Sequence, residues 1–86
     1  MHDTFLLNKI SQSVKEICKD NNIKRVNSLS ISVNNKSHVN NSNLYEQFRT
    51  DCNDLVGTWT NIHIQRDETP SQTAIILKIE GEQFEE

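Results

Sequence analysis

The sequence predicts an α+β domain in which two helices cover one face of a three-stranded mixed sheet, in the order α-β-α-β-β. Three observations predict this fold. Apolar residues recur at helical spacing in two segments, they alternate with polar residues in three others, and the two patterns interleave without an internal repeat. The chain has 86 residues and no visible boundary, so we assign 1–86 to a single domain.

The first helix follows a capping residue, Asp3 or Thr4. Its apolar residues recur three or four positions apart over about four turns. They are Leu6, Leu7, Ile10, Val14, Ile17 and Cys18. The run Asp20-Asn21-Asn22 predicts the end of the helix, because asparagine tolerates the left-handed backbone of a C-terminal cap.

Residues 25–33 alternate between apolar and serine side chains over most of their length, which predicts a strand with one buried face and one hydroxyl face. A second amphipathic helix is predicted over 43–53, after several capping residues between Asn40 and Asn43. Gly57 follows this helix, and we expect it to take a positive φ.

The segments Thr58 to Gln65 and Ala74 to Glu80 alternate again and predict two more strands, joined by a loop from Arg66 to Gln72. We expect the central strand-helix-strand unit to be a right-handed parallel crossover. We expect the last two strands to form an antiparallel hairpin and the end of the chain, Gly81 to Glu86, to be frayed. In the last strand the predicted inward residues are Ile75, Leu77 and Ile79.

Charge and hydropathy exclude several function classes. The net charge is −3 and the longest basic cluster is Lys24-Arg25, which argues against a nucleic-acid partner. No apolar run approaches the roughly 18 residues of a membrane-spanning helix, and the N-terminus lacks the basic start of a secretory signal. Cys18 and Cys52 lie at apolar-face positions, so we expect free thiols in a reducing compartment and predict a cytoplasmic protein.

The sequence offers little catalytic chemistry. Two glycines cannot build a phosphate-binding loop, no serine lies in a nucleophile elbow, and neither cysteine has a histidine nearby. No C-x-x-C or H-x-x-x-H pair occurs, so no zinc site is expected. We expect His38 to be a solvated loop residue, His63 to be exposed on the open sheet face, and Trp59 to be a packing or edge-shielding residue. We therefore predict that the protein is not an enzyme.

Met1, His2 and Asp3 form a candidate metal site if Met1 carries a free amine. The amine, one or two deprotonated backbone amides and the His2 imidazole would then lie within a few bonds of each other. Such an in-plane nitrogen set suits Ni(II) or Cu(II), which accept square-planar geometry. The Asp3 carboxylate could ligate the ion or bind the imidazole. The alternative is an exposed histidine of no special role.

Taken in order, the motifs resemble the HypA/HybF family of hydrogenase nickel-incorporation proteins. Members begin Met-His-Glu before a long amphipathic helix. An Arg-Val pair then opens a strand, which is followed by a Ser-x-Val turn, a helix carrying Leu-x-x-x-Phe and a further strand. A zinc-binding insertion and a last strand close the chain. The matching residues here are Met1-His2, Leu6, Ile10, Val14, Arg25-Val26, Leu29, Ile31, Val33, Ser37, Val39, Leu44, Phe48, Ile62, Ile64 and the strand Ile75 to Glu80.

The chain departs from the family in two ways that bear on function. Asp3 stands where the family has glutamate, which keeps the carboxylate but shortens it by one methylene. The insertion with two C-x-x-C pairs is missing, and only the loop Arg66 to Gln72 occupies its place. The chain is therefore similar to the nickel-binding domain alone, and the loss puts recognition of the hydrogenase in doubt more than nickel binding.

The resemblance implies a nickel metallochaperone, with His2 as the key ligand of Ni(II), the Met1 amine and backbone amides beside it, and Asp3 in support. It implies a nickel-maturation GTPase and a hydrogenase large-subunit precursor as partners. Two alternatives remain: a degenerate paralogue that acts as a protein-interaction module without metal, and an unrelated domain that shares only the order of elements. The open sheet face and a free strand edge could also support a homodimer.

Overall fold

The structure is a computed structural model that describes residues 4–85. Its elements are α1 Thr4–Asp20, β1 Ile23–Asn34, α2 Asn41–Asp51, β2 Asn61–Asp67 and β3 Ala74–Gln83. The strands form one sheet in the order β2-β1-β3, with β2 parallel and β3 antiparallel to β1. The predicted fold class is confirmed, as is the parallel pairing of the two strands that flank α2.

The helix α1 forms because its apolar residues fall on one stripe, which the core then covers. Leu6, Ile10 and Val14 are almost completely buried, and Cys18 continues the same stripe. The helix ends where predicted, since Asn22 adopts the left-handed conformation with φ of 59°.

The strand β1 lies at the centre of the sheet. Leu29, Ile31 and Val33 are fully buried against the helices, as the alternation predicts. The strand is longer than the predicted 25–33, because Ile23 pairs with Gln83 at the far end of β3. Its central position makes it the only strand in the described residues with a hydrogen-bonded neighbour on both sides.

Helix α2 begins two residues earlier than predicted, because Asn40 caps it. The Asn40 side chain accepts from the Asn43 backbone amide at 2.9 Å, and the Asn43 side chain accepts from the Asn40 amide at 2.9 Å. Phe48 and Leu44 are its fully buried anchors. The helix ends at Asp51 rather than at residue 53.

The structure around β2 corrects three predictions. Thr60 donates its backbone N–H to the Gly57 carbonyl at 2.9 Å, so β2 begins at Asn61 rather than at Thr58. At its other end, β2 runs to Asp67 rather than ending at Gln65, and the Asp67 carbonyl accepts a hydrogen bond from the Asn35 backbone amide. The expected positive φ at Gly57 is wrong. A Cβ atom there would lie 2.5 Å from a ring carbon of Trp59, so the glycine makes space for the indole.

The predicted antiparallel hairpin of the last two strands is wrong. β1 separates β2 from β3, and the connection 68–73 crosses the end of β1. Asn34, the last residue of β1, donates its side-chain amide to the Thr69 carbonyl and so holds this connection in place. Crossing one strand requires about 10 Å, which six residues span easily.

A one-residue bulge in β3 reverses which of its side chains point to the core over part of the strand. Ser30 pairs with Lys78 while the next residue, Ile31, pairs with Ile76, so Leu77 is the extra residue. Ile76 therefore packs against the core, together with Ala74 and Ile79. Ile75 and Leu77 are 47% and 50% exposed, which corrects the expectation that both point inward. β3 continues to Gln83, so the predicted frayed segment from Gly81 is partly strand.

Gly81 sits where β3 passes closest to the backbone of β1. A Cβ atom at this position would lie 2.1 Å from the Arg25 carbonyl oxygen, which belongs to the backbone and cannot move aside. We predict that Gly81→Ala lowers the free energy of unfolding by about 1–3 kcal/mol, the usual cost of overpacking. Urea unfolding followed by circular dichroism measures it.

The matched control is Gly57→Ala, because its added methyl group meets the Trp59 ring rather than backbone. Its cost should largely disappear in a Trp59→Ala background, whereas the cost of Gly81→Ala should persist there. Equal and independent costs at the two glycines would contradict this account of the contacts.

Candidate functional site

The predicted metal residues Met1, His2 and Asp3 lie outside the described residues. Their point of attachment is described, because Thr4 is the first residue of α1. The candidate site is therefore characterised by what surrounds the start of this helix.

The start of α1 is held against α2 by side-chain amides. Gln47 donates to the Asn8 side-chain oxygen at 2.7 Å and to the Asp51 carboxylate at 2.6 Å. The hydrogen bond from Gln47 lowers the pKa of Asp51 below its ordinary value, so this carboxylate is ionised at neutral pH. Leu7, buried beside these groups, adds apolar contact at the same end of the helix.

A shallow depression of about 370 Å³ opens at this end of α1. Its lining combines the first turn of α1 with one face of α2: Thr4, Leu7, Asn43, Glu46, Gln47, Arg49 and Thr50. Glu46 supplies a carboxylate and pairs with Arg49 at 3.7 Å, with both side chains about three-quarters exposed. Such an exposed ion pair is weak. The Glu46 oxygens are therefore available to a ligand that approaches the start of α1.

The remaining histidines lie on different parts of the surface. His38 is exposed, as expected, just before α2, and its carbonyl accepts from the Asn43 side chain at 2.9 Å. His63 is exposed on the sheet face away from the helices, opposite Ser30, as the alternation predicts. The sheet lies between His63 and the start of α1, so the fold places these two features on opposite sides.

The open sheet face has a hydrogen-bonded cluster at one end. Ser32 donates to the Asp67 carboxylate at 2.5 Å, and Gln65 donates to the same oxygen at 2.7 Å. These bonds, Ser32 first, lower the pKa of Asp67. The cluster fixes a negative charge at the end of β2. The alternation of serines identifies this face in the sequence. The hydrogen bond from Ser32 to Asp67, however, depends on the register between β1 and β2.

Both cysteines are free, as predicted. Burial raises the pKa of the Cys18 thiol, and the neighbouring Cys52 adds to that shift. Burial also raises the pKa of Cys52, which is partly exposed. Both thiols are therefore largely protonated at neutral pH, a state that disfavours nucleophilic attack and metal ligation.

Sequence reasoning missed the environment of Trp59. The Arg25 guanidinium lies 4.9 Å from the centre of the indole ring, and Gly57 lies beneath it. A depression of about 510 Å³ adjoins the ring and is lined by Tyr45, Glu46, Arg49, Asn53, Val56, Gly57, Thr58 and Trp59. Trp59 as a whole residue is 42% exposed. The Gly-x-Trp spacing was the available signal, but the contact with Arg25 depends on the fold.

Between residues 4 and 85, no group of three or more histidine, cysteine or acidic side chains could hold a metal ion. In the same stretch no helix is long and apolar enough to cross a membrane. Comparisons with protein-family models, with curated proteins and with solved structures found no match.

We predict that Ser32→Ala raises the pKa of Asp67, because the shortest of its hydrogen bonds is lost. A carboxylate with a lowered pKa stabilises the fold above its unfolded pKa of about 3.9, and this contribution is lost as the pH falls through the folded pKa. The free energy of unfolding that Ser32→Ala loses relative to the parent should therefore be larger at neutral pH than at acidic pH. Carboxyl-carbon NMR titration of Asp67 gives the pKa directly.

Ser30→Ala is the control, since Ser30 lies opposite His63 rather than beside Asp67. It should leave the Asp67 titration unchanged. An unchanged Asp67 pKa in Ser32→Ala would refute the assigned hydrogen bond.

Proposed function

We propose that this protein is a HypA-like nickel-binding metallochaperone that delivers Ni(II) to a metalloenzyme precursor. The observation that carries the proposal is where the motifs of the resemblance fall in the fold. Most of its apolar positions are core residues at 9% exposure or less, and they are distributed over all but the last element. They are Leu6, Ile10, Val14, Val26, Leu29, Ile31, Val33, Val39, Leu44, Phe48 and Ile62. The order of elements also agrees with the order that the resemblance implies.

The proposed site is the tripeptide Met1, His2 and Asp3. The Met1 amine, the backbone amides and the His2 imidazole are the proposed ligands, and Asp3 supports them with its carboxylate. Because these residues directly precede a helix that Gln47 ties to α2, the site is attached to a fixed element. With a free Met1 amine, a site of this kind would be open on one side, which would favour ligand exchange with an acceptor over permanent retention of the ion.

The Glu46 carboxylate gives the depression at the start of α1, the element to which the proposed site is attached, an oxygen donor. Nitrogen ligands dominate square-planar nickel, so Glu46 would act as a weak additional contact for the ion or its water. Its exposed pairing with Arg49 permits such a change of partner.

The proposed partners are a nickel-maturation GTPase and a hydrogenase large-subunit precursor, in the cytoplasm. The connection between β2 and β3 is only 68–73. On the resemblance, this short connection replaces the zinc-binding insertion of the family. Recognition of the acceptor would then rest on the helices and the sheet rather than on a second domain.

A second candidate function is a protein-interaction module without metal, derived from the same fold. The exposed apolar side chains favour it, since Trp59, Ile75, Leu77 and Phe84 are each more than two-fifths exposed. Nickel binding that depends on His2 distinguishes the two functions. Capture of the GTPase or the metalloenzyme precursor irrespective of nickel would favour the interaction module.

We predict stoichiometric Ni(II) binding by the chain with a free Met1 amine, at micromolar affinity or better. His2→Ala should weaken it by at least ~100-fold, since it removes a ligand rather than a supporting contact. Affinity should rise with pH, because nickel requires a neutral imidazole and deprotonated amides. Isothermal calorimetry at several pH values measures each quantity.

The matched controls are His38→Ala and His63→Ala, which remove the other two histidines, both of them exposed. A further control adds one residue before Met1, which displaces the amine from the chelate and should act like His2→Ala. If His2→Ala binds nickel as tightly as the parent, the site lies elsewhere and the proposed function fails.

A further inference from the structure

The two outer edges of the sheet differ in how they are covered. On β2, Tyr45 donates its hydroxyl to the Thr60 carbonyl just before the strand, and Asn41 donates to the Ile62 carbonyl at 3.2 Å. These side chains shield the edge from another strand. On β3, β1 is the only strand that pairs with it among residues 4–85, so its outer edge is open.

The backbone of Ile79 is directed to this open edge. The Ile62 carbonyl accepts a hydrogen bond from Asn41, so the backbone N–H and C=O of Ile62 point away from β1. The backbone groups of its neighbours Asn61 and His63 therefore point toward β1. In a parallel pair this means that the backbone N–H and C=O groups of Leu29 and Ile31 point to β2. Those of Ser28 and Ser30 then point to β3. Their partners there are Glu80 and Lys78. Because successive residues of a strand point to opposite sides, Ile79, which lies between these two, presents its N–H and C=O outward.

The charges beside Ile79 form a self-complementary pattern. Lys78 and Glu80 lie on the open sheet face, are 58% and 59% exposed, and pair within the chain at 3.1 Å. An antiparallel second copy centred on Ile79 places Lys78 opposite Glu80 of the other copy, twice by symmetry. Opposite charges at directly opposed positions favour pairing, whereas like charges oppose it.

Other registers lose this complementarity. Centring the pair on Lys78 places two lysines opposite each other, and centring it on Glu80 places two glutamates opposite each other. A shift by one residue sets core-facing side chains against open-face ones. A parallel copy in register also opposes like charges. An exposed lysine usually protects an edge strand from pairing with another strand. Here the Lys78 charge is neutralised by the second copy in the antiparallel arrangement centred on Ile79, and in none of these other arrangements.

We propose that two copies of this chain associate through the outer edges of β3, antiparallel and centred on Ile79. The sheets of the two copies then form one continuous sheet, with both Lys78–Glu80 pairs bridging the copies on its open face. The bulge at Leu77 limits the regular pairing to a few residues. The dimer is therefore weak and depends on concentration. It needs no nickel and is independent of the proposed function.

The test is a charge-reversal series measured by sedimentation equilibrium without metal, from about 10 µM to about 1 mM. The parent mass should rise with concentration from 9.9 kDa toward twice that value. Lys78→Glu and Glu80→Lys should each remain monomeric, since each places like charges opposite one another. An equimolar mixture of the two variants should dimerise again, because the heterodimer restores both opposite-charge pairs.

The mixture separates this proposal from an effect within one chain, since each variant keeps its own broken Lys78–Glu80 pair. Arg49→Glu is the matched control: it reverses one charge of another exposed ion pair within a chain, on α2, and should leave dimerisation unchanged. Added salt should weaken the parent dimer by screening its exposed charges. A parent that stays monomeric at about 1 mM overturns the proposal. So do dimeric single variants, or a mixture that stays monomeric.

Discussion

The central position of β1 is the constraint on which the rest of the structure depends. Its helix-side residues Leu29, Ile31 and Val33 are completely excluded from solvent, and both helices must cover them. Each of the other strands pairs only with β1 among the described residues. A single strand of 12 residues therefore determines the register of β2 and β3 and the face on which the helices pack.

The same arrangement separates three surfaces with different chemistry. The helix side carries the start of α1, held by Gln47 against α2. The open sheet face carries serine side chains, His63 and the acidic cluster around Asp67. The outer edge of β3 carries the backbone of Ile79, unpaired among the described residues and flanked on the adjoining open face by Lys78 and Glu80. A metal site at the chain start and an association surface at the β3 edge would not compete for the same residues, so each can be altered without changing the other.

Local sequence patterns predicted the features that depend on local physics. The stripe of α1, the alternation of β1, the caps at Asn22 and Asn40 and the fold class all follow from spacing and backbone preference. The sheet order did not follow, because the length of the 68–73 connection permits either a hairpin or a crossing of β1. The facing of β3 was wrong because one inserted residue, Leu77, shifts the alternation, and nothing in the local pattern marks that bulge.

The candidate site was only partly predictable for the same reason. The chelating potential of Met1, His2 and Asp3 is a property of neighbouring residues in the chain, so sequence alone suggests it. The groups that surround the start of α1, Glu46 and Gln47, come from a helix some forty positions away, and only packing brings them together. The contact of Arg25 with Trp59 is of the same kind.

The central claim concerns where nickel binds, and amide NMR during a Ni(II) titration of the chain with a free Met1 amine tests it most directly. We predict that the shifts of the amide signals reach completion at one equivalent and are concentrated at the start of α1 and the adjacent face of α2, near Thr4, Leu7 and Asn43. The open sheet face around Ser30 and His63 should be unaffected. Changes centred on His63 or His38, with the start of α1 unperturbed, would contradict the account.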